Sequence, residues 1–202
     1  EILERVVSPT DISGSLVGAF RRGKDLAGQL RDVWREEHPE RAEALRDLWQ
    51  FTAQDVLIHA LPIFHTHGLF VASNITLLSG SSMIFLPKFD LDQIIADLPR
   101  ASTMMGVPTF YTRLLGDARF TKDLATHMRL FVSGSAPLLA ETHVQFEGRS
   151  GHRILERYGM TETNMNTSNP YDGERRAGTV GFPLPGVELK VTDPESGKTL
   201  PD

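Results

Sequence analysis

The stretch Phe131-Val132-Ser133-Gly134-Ser135-Ala136-Pro137 decides the fold, because an apolar run ends there in a turn of small residues and a proline. A short apolar run closed by turn residues is typical of a buried strand. We therefore predict a strand over Leu130–Ser133 and a helix over Leu139–Arg149, joined by this turn. Because small side chains leave the backbone accessible, the turn would also let a ligand approach closely.

The same order of strand, turn and helix extends along the chain on both sides of this stretch. Strands are predicted at 56–61, 82–86, 103–107, 154–158 and 187–191, and helices at 68–78, 90–98 and 109–115. Asp90 and Pro108 stand where a helix N-cap and a first helical residue are preferred. The alternation favours an α/β domain with a mostly parallel sheet and flanking helices. In such sheets ligands bind outside the carboxyl ends of the strands.

The N-terminal part of the chain differs in texture, because it is dense in charged residues. A helical pattern runs over Asp25–Trp49, and Pro39 predicts two helices there rather than one. The chain begins without Met and ends in a turn-like Leu200-Pro201-Asp202. From both ends we expect a segment cut from a longer chain, or one that has been trimmed.

Composition excludes several classes of function. The 202 residues are 40% hydrophobic and 23% charged, which is ordinary for a soluble domain. A formal net charge of −5 argues against a nucleic-acid partner, because phosphate backbones require a basic surface. The absence of cysteine excludes disulfides and cysteine-based zinc sites. No apolar run reaches the roughly 20 residues that span a bilayer. A cytoplasmic location is therefore the default expectation, and the oligomeric state stays open.

Two histidines stand in Leu61-Pro62-Ile63-Phe64-His65-Thr66-His67-Gly68-Leu69, directly after a predicted strand. A His-X-His pair can ligate a metal, but no carboxylate or third histidine stands nearby in the sequence. The alternatives are imidazoles hydrogen-bonded within a turn and imidazoles that line a substrate pocket. The residues alone leave all three interpretations open.

Arg113 lies one turn into a predicted helix whose other residues are largely apolar. It is either an exposed residue of the helix surface or a clamp for an anion, since a guanidinium binds a carboxylate through two parallel hydrogen bonds. Ser135 is not expected to be a nucleophile, because Ala136-Pro137 breaks the Gly-X-Ser-X-Gly pattern of serine hydrolases.

The strongest chemical motif is Tyr158-Gly159-Met160-Thr161-Glu162-Thr163-Asn164, which follows a predicted strand. An aromatic face can stack on a nucleobase, and a hydroxyl can donate to a phosphate oxygen. A carboxylate can hold Mg²⁺, which prefers oxygen ligands and often bridges to phosphates. The combination suits a nucleoside phosphate, and the alternative is an ordinary polar loop.

Four motifs in this order resemble the adenylate-forming superfamily, which contains acyl-CoA synthetases, luciferases and nonribosomal adenylation domains. They are Pro62–His65, Ser133–Pro137, Tyr158–Thr163 and Gly178–Gly186. The resemblance covers about residues 42–202 and implies part of the large N-terminal AMP-binding domain of such an enzyme. Residues 1–41 are predicted to be a charged, helical segment, and we find no match to the family's motifs there.

This resemblance implies a two-step reaction. The family joins a carboxylate to ATP, giving acyl-AMP and pyrophosphate, and then passes the acyl group to the thiol of coenzyme A. By resemblance, Glu162 would bind Mg²⁺, Thr161 would contact the α-phosphate and His65 would border the reacting carboxylate. The residues that would line the nucleotide are Gly134, Ser135, Ala136, Pro137, Tyr158, Gly159 and Thr161.

Three segments, 65–70, 105–113 and 162–171, are similar to malonyl-CoA synthetases in particular. This narrower resemblance implies a small dicarboxylate, malonate or methylmalonate, as the substrate. Arg113 would then be buried against the distal carboxylate, which a monoacid lacks. The residues that would contact the substrate are His67, Arg113, Ser133, Gly134 and Met160.

Two features of the family are not recognisable in the sequence. The upstream phosphate-binding loop has no match, because Ser13–Lys24 has the wrong spacing. The small mobile domain that carries a catalytic lysine is also absent. We therefore expect a fragment of an acid–thiol ligase that is incomplete for turnover by itself. The alternatives are a non-catalytic truncated or rearranged copy with residual nucleotide or acyl binding and, more distantly, a serine or metal hydrolase.

Overall fold

The computed structural model describes residues 39–200. The helices are α1 (Pro39–Leu48), α2 (Asn74–Ser79), α3 (Leu91–Asp97), α4 (Pro108–Leu115) and α5 (Ala140–Ser150), with a π-helical segment at His67–Ser73 and a 3-10 turn at Leu98–Arg100. The strands are β1 (Val56–His59), β2 (Ser82–Phe85), β3 (Thr103–Gly106), β4 (Leu130–Ser133), β5 (Leu155–Met160), β6 (Asn164–Ser168) and β7 (Phe182–Pro183). None of the helices in this range has both the length and the apolar character that a membrane span needs.

The strands of the described range form one sheet in the order β2-β1-β3-β4-β5-β6-β7. β1 is parallel to β2 and β3, and β4 is parallel to β3 and β5. β6 is antiparallel to both β5 and β7. The predicted α/β class with a mostly parallel sheet and flanking helices is thus confirmed. Because parallel strands end at the same edge, the segments that follow β1 to β4 meet along one side of the sheet.

The central strands are buried on both faces, and their side chains alternate between two apolar clusters. Ile58, Met104 and Phe131 belong to the cluster that packs against α3, α4 and α5. Their neighbours Leu57, Met105 and Val132 belong to the cluster that packs against α1 and α2. This alternation places the sheet between two layers of helices, and each large apolar side chain buried there contributes roughly 1.5–3 kcal/mol.

Several predicted boundaries are confirmed by local interactions. The side chain of Asp90 caps α3 by accepting a hydrogen bond of 3.0 Å from the backbone N–H of Gln93. Pro108 is the first residue of α4, a position at which the backbone N–H makes no hydrogen bond within the helix, so the lack of an N–H in proline costs nothing there. Strand β4 has the predicted bounds, and α5 is displaced by one residue from the predicted helix.

The strand predicted at 187–191 is wrong. Leu189 and Val191 are exposed, and residues 187–191 belong to none of the strands in the described range. The sheet instead continues through β6, which the sequence did not predict because Asn164–Ser168 is mostly polar. The helix predicted at 68–78 is π-helical until Ser73 and becomes α-helical from Asn74. Of the two helices predicted over 25–49, the part before Pro39 lies outside the described residues, as does the stretch Ser13–Lys24.

Candidate functional site

A cavity of about 820 Å³ opens at the carboxyl ends of the parallel strands. Its walls come from the segment after β1 between Ala60 and Val71, from Pro87–Phe89 after β2, from Val107 and Phe110 at the start of α4, from Ser135 after β4, and from residues between Arg157 and Met165 on the β5–β6 hairpin. The sheet topology therefore gathers segments that are distant in sequence into one site.

His67 is buried in the wall of this cavity. Its Nδ1 lies 3.2 Å from the Ser135 hydroxyl, and its Nε2 has no hydrogen-bond partner among residues 39–200. Burial, reinforced by the charge of Arg157, lowers the pKa of His67 well below its usual value. The ring is consequently a neutral imidazole at neutral pH. His65, in contrast, is exposed at the cavity wall, with its ring centroid 4.7 Å from that of Phe64.

His59, the last residue of β1, supports the π-helical segment that begins at His67. The Nε2 of this fully buried ring lies 3.0 Å from the carbonyl oxygen of Gly68 and 3.1 Å from the Ser73 hydroxyl. Ser73 also donates to the Gly68 carbonyl at 2.9 Å. On its other side Gly68 packs against the Pro62 carbonyl group so closely that a side chain would overlap it. Contacts on both sides therefore fix where His67 stands.

The cavity also contains a buried cation, Arg157 of β5. The residue is 4% exposed, and its Nε and Nη2 have no acceptor within the described part of the chain. Burial lowers the pKa of Arg157 to about 10, so the guanidinium remains protonated at neutral pH. A buried charge without a partner is strongly unfavourable, and an anion in the cavity would relieve that cost.

Gly134 makes room for this guanidinium. A Cβ on Gly134 would lie 2.7 Å from Nη1 of Arg157 and closer still to Cζ and Nε. No side chain other than hydrogen fits there without moving Arg157. The small residue that the sequence assigned to ligand approach thus accommodates a protein side chain in this structure.

The β5–β6 hairpin carries Thr161 and Glu162 at its turn. Both residues are exposed and line the cavity, as Met160 does, and the Thr66 hydroxyl lies 3.4 Å from that of Thr161. A register shift between Tyr158 and Gly159 marks a bulge in the strand pair. A bulge re-aims the side chains beyond it.

The structure brings some of the predicted site residues together and leaves others outside. His65, His67, Ser135, Gly159, Met160, Thr161 and Glu162 share the wall of the cavity. Ser133 is buried behind the wall, with its hydroxyl unpaired among the described residues, and Gly134 is buried against Arg157. Ala136, Pro137 and Tyr158 are exposed and lie outside the lining.

The expectation that Arg113 is buried is wrong. Tyr111 and Leu114 turn one face of α4 towards the core, and Arg113 is therefore exposed. Its guanidinium lies 5.2 Å from the ring centroid of Phe89, which itself lines the cavity. Arg113 thus contacts a residue of the cavity wall but does not line the cavity itself.

Two charged residues of β5 were missed by the sequence analysis. Arg157 and Glu156 occupy adjacent positions in a strand predicted from its apolar neighbours, and charges inside a buried strand are the signal that could have found them. The Glu156 carboxylate accepts a 2.9 Å hydrogen bond from the backbone N–H of Leu138, just after the turn that follows β4. Burial raises the pKa of Glu156, although this hydrogen bond opposes the shift.

Metal chemistry at the cavity would depend on few protein ligands. Within residues 39–200, no three His, Asp or Glu side chains come together to form a metal cluster. The exposed carboxylate of Glu162 at the cavity edge suits Mg²⁺, which commonly takes one or two carboxylates and completes its shell with water and phosphate.

Comparison with protein families gives one match over most of the chain. The family model described as AMP-binding enzyme matches residues 35–202. Among curated proteins, the malonate–CoA ligase of Arabidopsis thaliana is 41% identical over 172 residues, which cover 75% of this chain and 28% of that protein. The mitochondrial malonate–CoA ligase of Mus musculus is 36% identical over 169 residues, covering 76% of this chain and 29% of that protein. The chain therefore spans less than a third of the length of these relatives.

Solved structures match a similar share of the chain. The crystal structure of ATP-bound MatB from Rhodopseudomonas palustris superposes with a TM-score of 0.79 at 65% identity, covering 81% of this chain and 32% of that one. A malonyl-CoA ligase in a ternary product complex with methylmalonyl-CoA and AMP superposes with a TM-score of 0.70 at 42% identity, covering 78% of this chain and 36% of that one.

Proposed function

This chain belongs to the AMP-binding enzyme family. We therefore propose that it is part of an acid–thiol ligase, which activates malonate or methylmalonate with ATP and transfers the acyl group to coenzyme A. The cavity would hold the dicarboxylate, and the turn of the β5–β6 hairpin would face the nucleotide. The names of the malonate–CoA ligases and of the malonyl-CoA ligase in its product complex, to which the chain is similar, support this proposal.

The buried guanidinium of Arg157 is the observation that carries the choice of a dicarboxylate. One carboxylate of the substrate must react with ATP, so a second anionic group is needed to neutralise a cation deep in the cavity. Nε and Nη2 of Arg157 lack protein acceptors within residues 39–200 and form part of the fork that binds a carboxylate. A monoacid would leave this charge unpaired.

Further donors in the cavity are consistent with an anionic ligand. Nε2 of His67 has no partner within residues 39–200, the charge of Arg157 acts on this ring, and Lys88 adds a second cation to the wall. Arg113 stands behind Phe89, where it would add to the positive potential at that side of the cavity. These groups make the cavity locally basic in a chain whose net charge is −5.

The proposed nucleotide side lies at the hairpin. Glu162 would hold Mg²⁺, Thr161 would donate to the α-phosphate, and the exposed ring of Tyr158 would lie against the adenine. When bound, Mg²⁺ would reduce the repulsion between the phosphates and the attacking carboxylate. The role of the chain's own residues is to bring the two anions together and to orient them.

Calorimetric titration of the chain with two ligands tests this division of the site. We expect Arg157→Gln to weaken malonate binding by at least about 30-fold, because losing one partner of a buried charge pair removes about 2–5 kcal/mol. Acetate should bind far more weakly than malonate to the unchanged chain, and Arg157→Gln should abolish that preference. Glu162→Gln should weaken the binding of MgATP instead.

Each substitution serves as the control for the other ligand. Arg153→Gln is a matched control for loss of charge, because Arg153 is exposed outside the cavity and its side chain forms an ion pair with Glu147. It should leave both affinities unchanged. Malonate binding that survives Arg157→Gln at full strength, in a chain that retains its circular dichroism spectrum, would exclude the proposed acyl site.

A further inference from the structure

Ser135 and His67 meet across the cavity although 68 residues separate them in the sequence. Ser135 belongs to the turn after β4, and His67 belongs to the π-helical segment after β1. The 3.2 Å distance from the Ser135 Oγ to Nδ1 of His67 is a hydrogen bond. It joins a residue of the predicted nucleotide-lining turn to a residue of the proposed acyl pocket.

The backbone of Ser135 is unusual for a residue with a side chain. Its φ of 67° lies in the left-handed region, which non-glycine residues seldom adopt. Such a conformation costs on the order of 1–3 kcal/mol and persists only where the surroundings require it. Glycine would accept this φ without strain, so the presence of serine indicates that the hydroxyl has a use.

The hydrogen bond leaves His67 with one ring nitrogen to offer. A neutral imidazole carries its proton on one nitrogen and a lone pair on the other. The hydroxyl of Ser135 can donate to Nδ1, and the proton then resides on Nε2. Nε2 is buried and has no partner among the described residues, and the residues His67 and Arg157 both line the cavity.

We propose that Ser135 is a positioning residue that donates to Nδ1 of His67 and thereby fixes the tautomer with the proton on Nε2, the ring nitrogen that has no partner among the described residues. The opposite tautomer would present a lone pair to an anionic ligand and repel it. Ser135 thereby matches the histidine to a carboxylate without touching the ligand itself. The identity of that ligand rests on the proposed function, whereas the tautomer of the ring does not.

Long-range ¹H–¹⁵N correlation NMR of the histidine side chains in the full chain tests the proposal directly. In the unchanged protein, His67 should give the pattern of a neutral ring with protonated Nε2. Ser135→Ala removes the hydroxyl, and Ser135→Gly removes it while also relieving the backbone. Both should shift the His67 resonances towards a mixture of tautomers, whereas His143 and His152 in the same spectrum should not move.

Calorimetry adds a second readout. Both variants should weaken malonate binding by about tenfold, the equivalent of one hydrogen bond of about 1.4 kcal/mol. A proton on Nδ1 in the unchanged chain, or a His67 pattern that stays the same in Ser135→Ala, would overturn the inference. A change of tautomer in a chain that does not bind malonate would support the inference and refute only the proposed ligand.

Discussion

At the scale of single residues, Gly134 and Arg157 depend on each other. No positive φ requires glycine at 134, so alanine is acceptable to the backbone and only the guanidinium opposes it. We expect Gly134→Ala to lower the free energy of unfolding by about 1–3 kcal/mol, the usual penalty for overpacking. Urea denaturation of the chain measures it.

A double-mutant cycle separates this clash from other effects. Shortening the arginine in Arg157→Ala should remove most of the penalty of Gly134→Ala, giving a coupling energy of at least about 0.5 kcal/mol. Gly148→Ala is the control, because Gly148 lies inside α5 with nothing within 4 Å of its added Cβ. It should stabilise the chain by about 0.5–1 kcal/mol. Additive effects of the two substitutions would contradict the proposed clash.

Which site residues could be predicted depended on whether they stand in a recognisable motif. Thr161 and Glu162 follow a strand in a distinctive order, and the structure places both at the cavity. Arg157 precedes the same motif, and although a charge inside a predicted buried strand is a signal, the sequence does not show where its side chain packs. Arg113 was expected to be buried only through the resemblance to malonyl-CoA synthetases, and burial depends on which face of α4 meets the sheet. Long-range packing decides both cases.

At the scale of elements, the π-helical segment His67–Ser73 depends on His59. His59→Leu removes the ring N–H that donates to the Gly68 carbonyl, which also accepts a hydrogen bond from Ser73. The leucine side chain still fills the buried volume. We expect a loss of about 1–3 kcal/mol in the free energy of unfolding. Amide hydrogen exchange in residues 67–73 should accelerate more than in α5.

His59→Gln is the matched variant, since its amide can still donate to the Gly68 carbonyl. It should retain most of the protection that His59→Leu loses. Equal exchange rates for residues 67–73 in the unchanged chain and in His59→Leu would show that the segment is held by other contacts.

The elements themselves were predictable where an apolar pattern coincides with a turn signal. Strand β4, the cap at Asp90 and the start of α4 at Pro108 all follow from local chemistry. Strand β6 did not, because its polar residues form a strand through pairing with β5 and β7. The apolar alternation at 187–191 failed for the converse reason, since within residues 39–200 the stretch joins no sheet and Leu189 and Val191 stay exposed.

At the scale of the whole molecule, buried histidines should make the chain sensitive to acid. Burial is the largest cause that lowers the pKa of His59, His67, His143 and His152. The unfolded chain protonates these rings near their usual pKa of about 6.5. Stability is therefore complete above that pH and falls as the pH decreases below it. The raised pKa of Glu156 acts in the opposite sense and offsets part of this loss.

Urea denaturation at about pH 7.5 and about pH 5.5 measures the effect, and we expect a lower midpoint in acid. The free energy of unfolding should fall by at most about 1.4 kcal/mol per pH unit for each fully buried ring. His59→Gln should reduce the dependence on pH. His127→Gln should leave it unchanged, because His127 is exposed. A midpoint that does not move between the two pH values would show that the buried rings accept protons in the folded state.

The β5–β6 hairpin has a kinetic consequence for how the site assembles. Its strands are joined by residues 161–163 alone, so closing the loop restricts few backbone torsions and proceeds within microseconds. The pairings of β1 with β3 and of β3 with β4 bridge far longer stretches of chain and have to wait for slower, non-local encounters. The hairpin tip with Thr161 and Glu162 can thus form in a nascent chain, whereas the meeting of His67, Ser135 and Arg157 is a late event that requires the finished sheet.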